Sequence, residues 1–459
     1  MLRGSRPDSE KEFFVRFRSL TLAAASLVLP AAMPLFANEP YPVNPGSYRI
    51  SDTTRLAYPV SVSSSLGDEE VAEGEEKTSH GQKQKHGHAQ KFGHGSHGGH
   101  GKKHDGDGKG EKEGKGGKGC DSCYLFGPDE AFSISPENDH NITVGGWTQL
   151  GYHDKATPLS PFYGAGLSFN DVPGRINLQQ QWLYIEKALS GDDCTWDWGF
   201  RADFMYGTDA SKTQAFGQPS GWDVNWDNGV YGYAIPQAYL EVGRGPLAVK
   251  MGHFYTPIGY EVVTAPDNFF YSHALTMFNS EPFTHTGVLS TYEATEKLTV
   301  YAGWTAGWDT AFESVNGGSN WLGGFSYQVT DDLKFTYLST AGNFGLIGDQ
   351  GYEHSIVVDA SVTEKLTYVF QQDYQRVEST GIDAVGINQY LLYSVNDCYG
   401  VGARMEWWKK DGISHYETTL GLNVRPAANL VFRPEIRYDW QPANNFEQAT
   451  FGVDAILTY

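Results

Sequence analysis

The sequence is short of the residues that mark most soluble architectures. Four cysteines in 459 residues cannot staple a disulfide scaffold. Charged residues make up 19 % of the chain, below the roughly 25 % of ordinary soluble domains. Positive charge is the scarcest: 34 Lys and Arg against 55 Asp and Glu leave a formal net charge of −21. That excludes the basic face a nucleic-acid binder needs. Long apolar runs are missing too, apart from one near the N-terminus, so a bundle of membrane-spanning helices is excluded. No Gly-x-Ser-x-Gly elbow and no His-Glu-x-x-His occurs, so the common hydrolase and zinc-protease signatures are absent. What is plentiful is glycine, with 54 residues, and aromatic side chains at 14 %. The length suits two or three soluble domains or one large barrel, and this composition points to an acidic, all-β chain.

Three segments follow. Arg3, Arg6, Lys11, Arg16 and Arg18 precede the apolar run Leu20 to Ala37, the order of a secretory signal. Pro30 and Pro34 break the run, which makes it a poor membrane-spanning helix. Residues 1–37 are therefore expected to be a signal peptide. Residues 38–140 read as a disordered periplasmic arm rich in His, Gly and Lys. From His80 to Gly119 there are seven His, nine Lys and fourteen Gly, with Phe92 the one aromatic residue. Such a stretch buries too little apolar surface to offset the entropy of ordering it. His86, His88, His94, His97, His100 and His104 are candidate ligands for a weakly held divalent transition metal, the one cofactor-like site expected. Their glycine spacers fix no geometry, so a plain solvated linker competes with that reading. Cys120 and Cys123 form a CxxC whose expected state is a local disulfide, with a metal site as the alternative. Cys194 and Cys398 each follow an Asp in a predicted turn and are a second candidate pair.

From residue 141 onward the chain alternates with period two. In Trp196 to Tyr206 one face carries Trp196, Trp198, Phe200, Ala202, Phe204 and Tyr206; the other carries Asp197, Gly199, Arg201, Asp203 and Met205. Leu298 to Trp308 and Leu430 to Trp440 alternate likewise. Eleven residues exceed the ~5–6 of an average soluble strand and match the ~9–11 of a tilted strand that crosses a bilayer. Trp196, Trp198, Tyr206, Trp304, Trp308, Trp407, Tyr438 and Trp440 fall near strand ends, where aromatic girdles form.

About sixteen strands are expected, with fourteen to eighteen as the range: a transmembrane antiparallel up-and-down β-barrel over residues 141–459. Seven short turns alternate with eight mostly longer connectors, the asymmetry of a bacterial outer-membrane barrel. Closure is obligatory, because an open strand edge cannot survive in hydrocarbon. The polar face then lines a lumen, with Arg201, Asp203, Lys250, Arg404, Glu406, Arg433, Glu435, Arg437 and Asp439 as candidate pore-lining residues. Residues 120–459 carry 17 basic and 40 acidic residues, and those acids that cluster in the pore would favour cations, although many lie in turns and loops. The longest connector, Tyr255 to His285, is too apolar to lie loose in water. It is expected to enter the barrel or cover its mouth, with Tyr255, Pro257, Tyr260, Glu261, Phe269, Phe270 and Tyr271 as the constriction. His253, His273 and His285 read more readily as hydrogen-bonding residues than as a metal trio.

The stretch Gly252-His253-Phe254-Tyr255-Thr256-Pro257-Ile258-Gly259-Tyr260-Glu261 resembles the putative beta-barrel porin-2 family, the OmpL-like outer-membrane porins. So do Asn268 to Ala274, Glu281 to Gly287, Arg201 to Phe204 and Tyr206 to Asp209. The resemblance covers about residues 141–459 and leaves the His-rich arm outside. It implies a non-enzymatic channel for passive diffusion of small hydrophilic solutes or ions, set in outer-membrane lipid. By analogy it also implies a homotrimer, and a C-terminal aromatic read by barrel-assembly machinery. The competing reading is a surface barrel whose loop aromatics Trp222, Trp226, Tyr231 and Tyr233 grip carbohydrate.

Overall fold

The computed structural model describes residues 123–125, 131–135, 141–158, 168–190, 194–215, 222–223, 226–345 and 347–459. The expected signal peptide, the six candidate metal-binding histidines and Cys120 lie outside them. Sixteen antiparallel strands form the wall: β1 (Ile142–His153), β2 (Asn177–Lys187), β3 (Asp197–Gly207), β4 (Tyr231–Arg244), β5 (Leu247–Tyr255), β6 (Thr284–Thr295), β7 (Leu298–Thr305) and β8 (Ser319–Thr330). Then come β9 (Leu333–Gly345), β10 (Gly348–Thr363), β11 (Leu366–Val377), β12 (Ile382–Asn396), β13 (Tyr399–Lys410), β14 (Ile413–Ala427), β15 (Leu430–Gln441) and β16 (Phe446–Thr458). A two-residue ladder, Asp227–Asn228, folds onto the start of β4. Each strand pairs with the next, and β1 pairs with β16 from Trp147↔Thr458 to His153↔Gly452. Tyr459 and Gly146 extend that seam with reciprocal backbone hydrogen bonds of 3.0 and 2.9 Å. The sheet has no free edge, and no helix among the described residues is long and apolar enough to cross a membrane.

Alternation sets which side chains face out. In β3, Trp198, Ala202 and Phe204 are exposed, while Gly199, Arg201, Asp203 and Met205 are buried. In β15, Phe432, Ile436 and Tyr438 face out, and Arg433, Glu435, Arg437 and Asp439 face in. Leu240 (57 %), Leu420 (61 %) and Ile436 (61 %) are as bare as surface lysines would be, a pattern suited to acyl chains and not to water. Trp196, Trp198, Trp304 and Tyr438 are exposed on this face. Trp308 is a correction. β7 ends at Thr305, Gly307 turns the chain at φ +133°, and Trp308 is carried inside against Phe344, 4.9 Å away and 1 % exposed. The outer face carries a cluster of polar side chains spanning β9 to β11. Tyr337 and Tyr352 hydroxyls lie 2.8 Å apart, and His354 bridges Tyr352 and Gln372 at 2.9 and 3.2 Å.

Seven connectors on the rim that holds both strand termini are short. The opposite rim carries long connectors over β1 to β8, but the hairpins after β9, β11, β13 and β15 are short as well. Alternation fades at Gly342 and Asn343, yet the β9–β10 ladder continues through Gly342↔Gly351 to Gly345↔Gly348. Strand pairing thus takes over residues that sequence periodicity assigns to a loop.

The cysteines are paired otherwise than expected. Cys123 is bonded to Cys398, 275 residues away. Neither the Cys120–Cys123 nor the Cys194–Cys398 pairing forms, and Cys194 is exposed outside the bridge. The reason is that residues 123–125 and 131–135 lie along the short-turn rim. Leu125 N–H donates to Pro426 O at 2.9 Å, and Phe132 N–H donates to Asn429 Oδ1 at 2.7 Å. Asn429 Nδ2 returns the bond to Phe132 O and also holds Thr458 O. This placement brings Cys123 to the β12–β13 turn.

Peptide mapping without reductant should therefore recover a Cys123–Cys398 cross-linked peptide. Reduction, or Cys398→Ser, should free the segment before residue 135 to protease while the barrel keeps its folded migration in cold detergent gels, because no strand pairing depends on the bridge.

Candidate functional site in the barrel lumen

The β5–β6 connector, residues 256–283, turns inward and lies against the inner wall. Its first apolar residues are buried: Ile258 packs with Phe254, Tyr239, Leu289, Leu322 and Leu338, and Tyr260 with Tyr390, Val357, Val369 and Leu392. A 3₁₀ turn (Ala265–Asp267) and helix α2 (Leu275–Ser280) give it local order; α1 (Ala210–Thr213) belongs to the β3–β4 connector. Neither element is long enough to be stable alone, so the wall must hold the connector.

Charged side chains of β13 to β16 do this. Glu435 accepts the Tyr271 and Ser272 N–H groups at 2.9 and 3.0 Å. Glu406 accepts those of Leu275 and Thr276, both at 2.6 Å. Arg433 donates to Ala265 O and Asn268 O at 2.8 and 2.6 Å while paired with Asp454. Arg437, paired with Asp439, donates to His273 O at 2.5 Å. Arg404 joins Glu261 at 2.7 Å, Ser272 O at 2.7 Å and Glu417. Charge-assisted bonds of this kind contribute about 1.5–3 kcal/mol each. A turn of chain without its own hydrogen-bond ladder is thus satisfied by the wall.

Inward glycines supply the room. Phe269 and Phe270 lie over Gly402 and Gly421, and Tyr271 lies between Gly151 and Gly452. A Cβ at Gly421 or Gly452 would stand 2.9 Å from a ring atom, closer than side chains approach. The Tyr271 hydroxyl reaches His153 Nδ1 at 3.2 Å and also Gln179. Gln180 holds the far side, donating to Val263 O at 2.7 Å.

The sequence candidates divide into two groups. Arg404, Glu406, Arg433, Glu435, Arg437 and Asp439 gather around the inserted connector. Arg201, Asp203 and Lys250 lie on β3 and β5: Arg201 pairs with Asp203 at 2.7 Å and Glu186 at 3.1 Å, and the Lys250 amine sits 4.2 Å above the Tyr239 ring, opposite Glu241. Tyr255, Tyr260, Glu261, Phe270 and Tyr271 are buried in the lumen, Phe269 packs on Phe270 at 5.0 Å, and Pro257 is half-buried. His253, His285 and His273 hydrogen-bond to Thr286, Thr256 and Glu261, and no group of metal-binding side chains occurs among the described residues. Trp222 packs on Phe312 at 4.9 Å and donates to Ile235 O, while Tyr231 and Tyr233 lie against Tyr206 on the outer face. Sequence reasoning missed the glycine sockets, Glu417, Asp454 and Gln180. Their signal was position alone, on the inward parity of strands already identified.

The family profile described as "Putative beta-barrel porin-2, OmpL-like" matches residues 141–459. The chain belongs to that family. Membership makes it a porin-type barrel of the bacterial outer membrane. No curated protein matches this porin. Among solved structures it is similar to the outer membrane channel DcaP of Acinetobacter baumannii: 10 % identity, TM-score 0.48, covering 71 % of this chain and 99 % of that one. A loop-deletion mutant of OmpT, an outer membrane protein of Vibrio cholerae, has 13 % identity and a TM-score of 0.47, covering 69 % and 99 %. A mutant of the Rh. blastica porin has 14 % identity and a TM-score of 0.48, covering 69 % and 100 %.

Two expectations follow for this porin. Burial pushes the Glu261 carboxyl up, but Arg404, His273 and the Ala274 N–H outweigh it and hold it at about 2. A depressed carboxyl stabilises the folded form above its unfolded value of about 4.3, and that contribution disappears as pH falls towards 2. Glu261→Gln should cost about 3 kcal/mol of connector anchoring at neutral pH, and wild-type residues 256–283 should become sensitive to pepsin between pH ~4 and ~2. Gly452→Leu should displace Tyr271 and expose the connector to protease while the barrel stays folded.

Proposed function

We propose that this barrel is a passive porin, a water-filled route for small hydrophilic solutes or ions, narrowed by residues 256–283. The observation that carries the reading is the fixed seating of that connector at many points of the inner wall, from Gln180 on β2 to Arg404 on β13. A segment held at so many points constricts a lumen permanently and does not act as a loose cap. Selectivity then comes from width and lining charge, and the reading requires no cofactor.

Both chain ends are assigned to the periplasmic rim, with the arm beyond it. The Cys123–Cys398 bridge supports this, since it lies on the short-turn rim and such bonds persist in oxidising compartments. The terminal Tyr459, paired to Gly146, is the residue we assign to recognition by barrel-assembly machinery. We also assign a homotrimer, supported by the polar patch of Tyr337, Tyr352, His354 and Gln372, whose chemistry suits a protein neighbour better than acyl chains.

Purified protein in a planar bilayer should give discrete conductance steps, and a variant lacking residues 262–280 should give larger ones. Absence of steps in both would overturn the channel reading. The paired change His354→Leu with Gln372→Leu should abolish trimers on native gels without lowering the yield of folded barrel.

A further inference from the structure

The arginines on the inner wall are paired, with one exception. Arg201, Arg404, Arg433 and Arg437 are each bonded to carboxylates. The lysines follow the same rule: Lys250 stands opposite Glu241, and Lys334 stands opposite Asp359. Arg425 departs from it. It follows Glu417, Thr419 and Asn423 on the inward parity of β14, two residues from the strand's end at the short-turn rim. No carboxylate among the described residues bonds to it; its titratable neighbours are Arg433 and Tyr124. Arg433 cannot relieve it. That guanidinium is positive too, and it is taken up by Asp454, Ala265 O and Asn268 O. Arg425 is only half-buried, so solutes in the mouth of the lumen can reach it. A guanidinium drawn this far out of water gains from an acid, and the wall supplies none.

The rim fixes this residue in place. Arg425 N–H donates to Cys398 O at 2.8 Å, and Leu125 N–H donates to the next carbonyl, Pro426 O, at 2.9 Å. The Cys123–Cys398 bridge thus keeps Tyr124 beside the guanidinium. A guanidinium fork matches a planar carboxylate, and a phenol adds one more O–H donor. The single uncompensated charge is neutralised by a monoanion, whereas a phosphate dianion would reverse it. Across the mouth the charge has the other sign. β6 lies eight strands from β14 in a wall of sixteen, and Glu293 on it is two residues from the same rim. An oxyanion is therefore driven from the β6 side towards β14.

We propose that Arg425 and Tyr124 form a subsite for a small monocarboxylate at the short-turn mouth of the lumen, held together by the Cys123–Cys398 bridge. The binding claim stands without the channel reading. Its consequence, that Arg425 favours the passage of carboxylates, rests on that reading.

The test uses the full chain folded in detergent, treated with the arginine reagent phenylglyoxal and mapped by peptide mass. Arg425 should be modified several-fold more slowly in sodium acetate than in sodium chloride of equal ionic strength. Arg376, exposed on the outer face, should keep its rate. Equal rates at Arg425 in the two salts overturn the subsite, and so does slowing shared by Arg376, which marks an adventitious ion only. Stronger protection by inorganic phosphate than by acetate overturns the monocarboxylate assignment. Tyr124→Phe, and Cys398→Ser by releasing residues 123–125, should each lose at least half of the acetate protection. Full protection in both overturns the role of Tyr124 and the bridge. In bilayers under a potassium acetate gradient, Arg425→Gln should move the reversal potential towards that of potassium. Steps with an unchanged reversal potential overturn the transit claim. Absent steps overturn the channel reading and leave the modification rates of wild type to decide the subsite.

Discussion

Every other feature rests on the requirement that backbone N–H and C=O groups be paired wherever water is missing. On the outer surface that requirement closes the sheet, since β1 and β16 can satisfy their edges only on each other. Closure fixes parity, and parity sends leucine and isoleucine outward and arginine, glutamate and glutamine inward along the same strand. Inside, the same requirement acts on the inserted connector, which has almost no ladder of its own. Its carbonyls and amides take the side chains of β13 to β15 as substitutes for a neighbouring strand.

This division of labour explains why the lumen is so heavily charged without being strongly positive or negative at β13 to β16. Arginine beside aspartate two residues on, as in Arg437 and Asp439, lets one pair neutralise itself and still present donors to a carbonyl. A buried guanidinium without such a partner would be costly to desolvate, and a neutral residue would grip a backbone oxygen less firmly. The glycines opposite the connector's aromatic rings complete the fit, since a wall of ordinary side chains would hold the rings away from these charged groups.

Much of the wall was legible in the sequence because period-two alternation has one physical cause, the opposed faces of a strand. It identified the outward Trp198 and the inward Arg201 and Asp203 together. Legibility ended where alternation lost its cause. Gly342 and Asn343 carry no apolar signal, so their pairing with β10 was invisible, and Trp308 kept the rhythm of a strand that had already ended. The apolar residues of 256–283 announced burial without saying against what. The partner of each lumen residue depends on register round the barrel, which brings Glu435 to Tyr271 across 164 residues. No local pattern carries that information.

The Cys123–Cys398 bond also constrains biogenesis. Its two sulfurs are 275 residues apart in a chain that emerges N-terminus first. Cys123 therefore waits through the appearance of twelve strands, with Cys120 three positions away and Cys194 arriving well before Cys398. An oxidant that acts early finds only those partners, and the final bridge then requires exchange of one bond for another. The completed crosslink is thus a chemical record that the chain has been delivered as far as the β12–β13 turn.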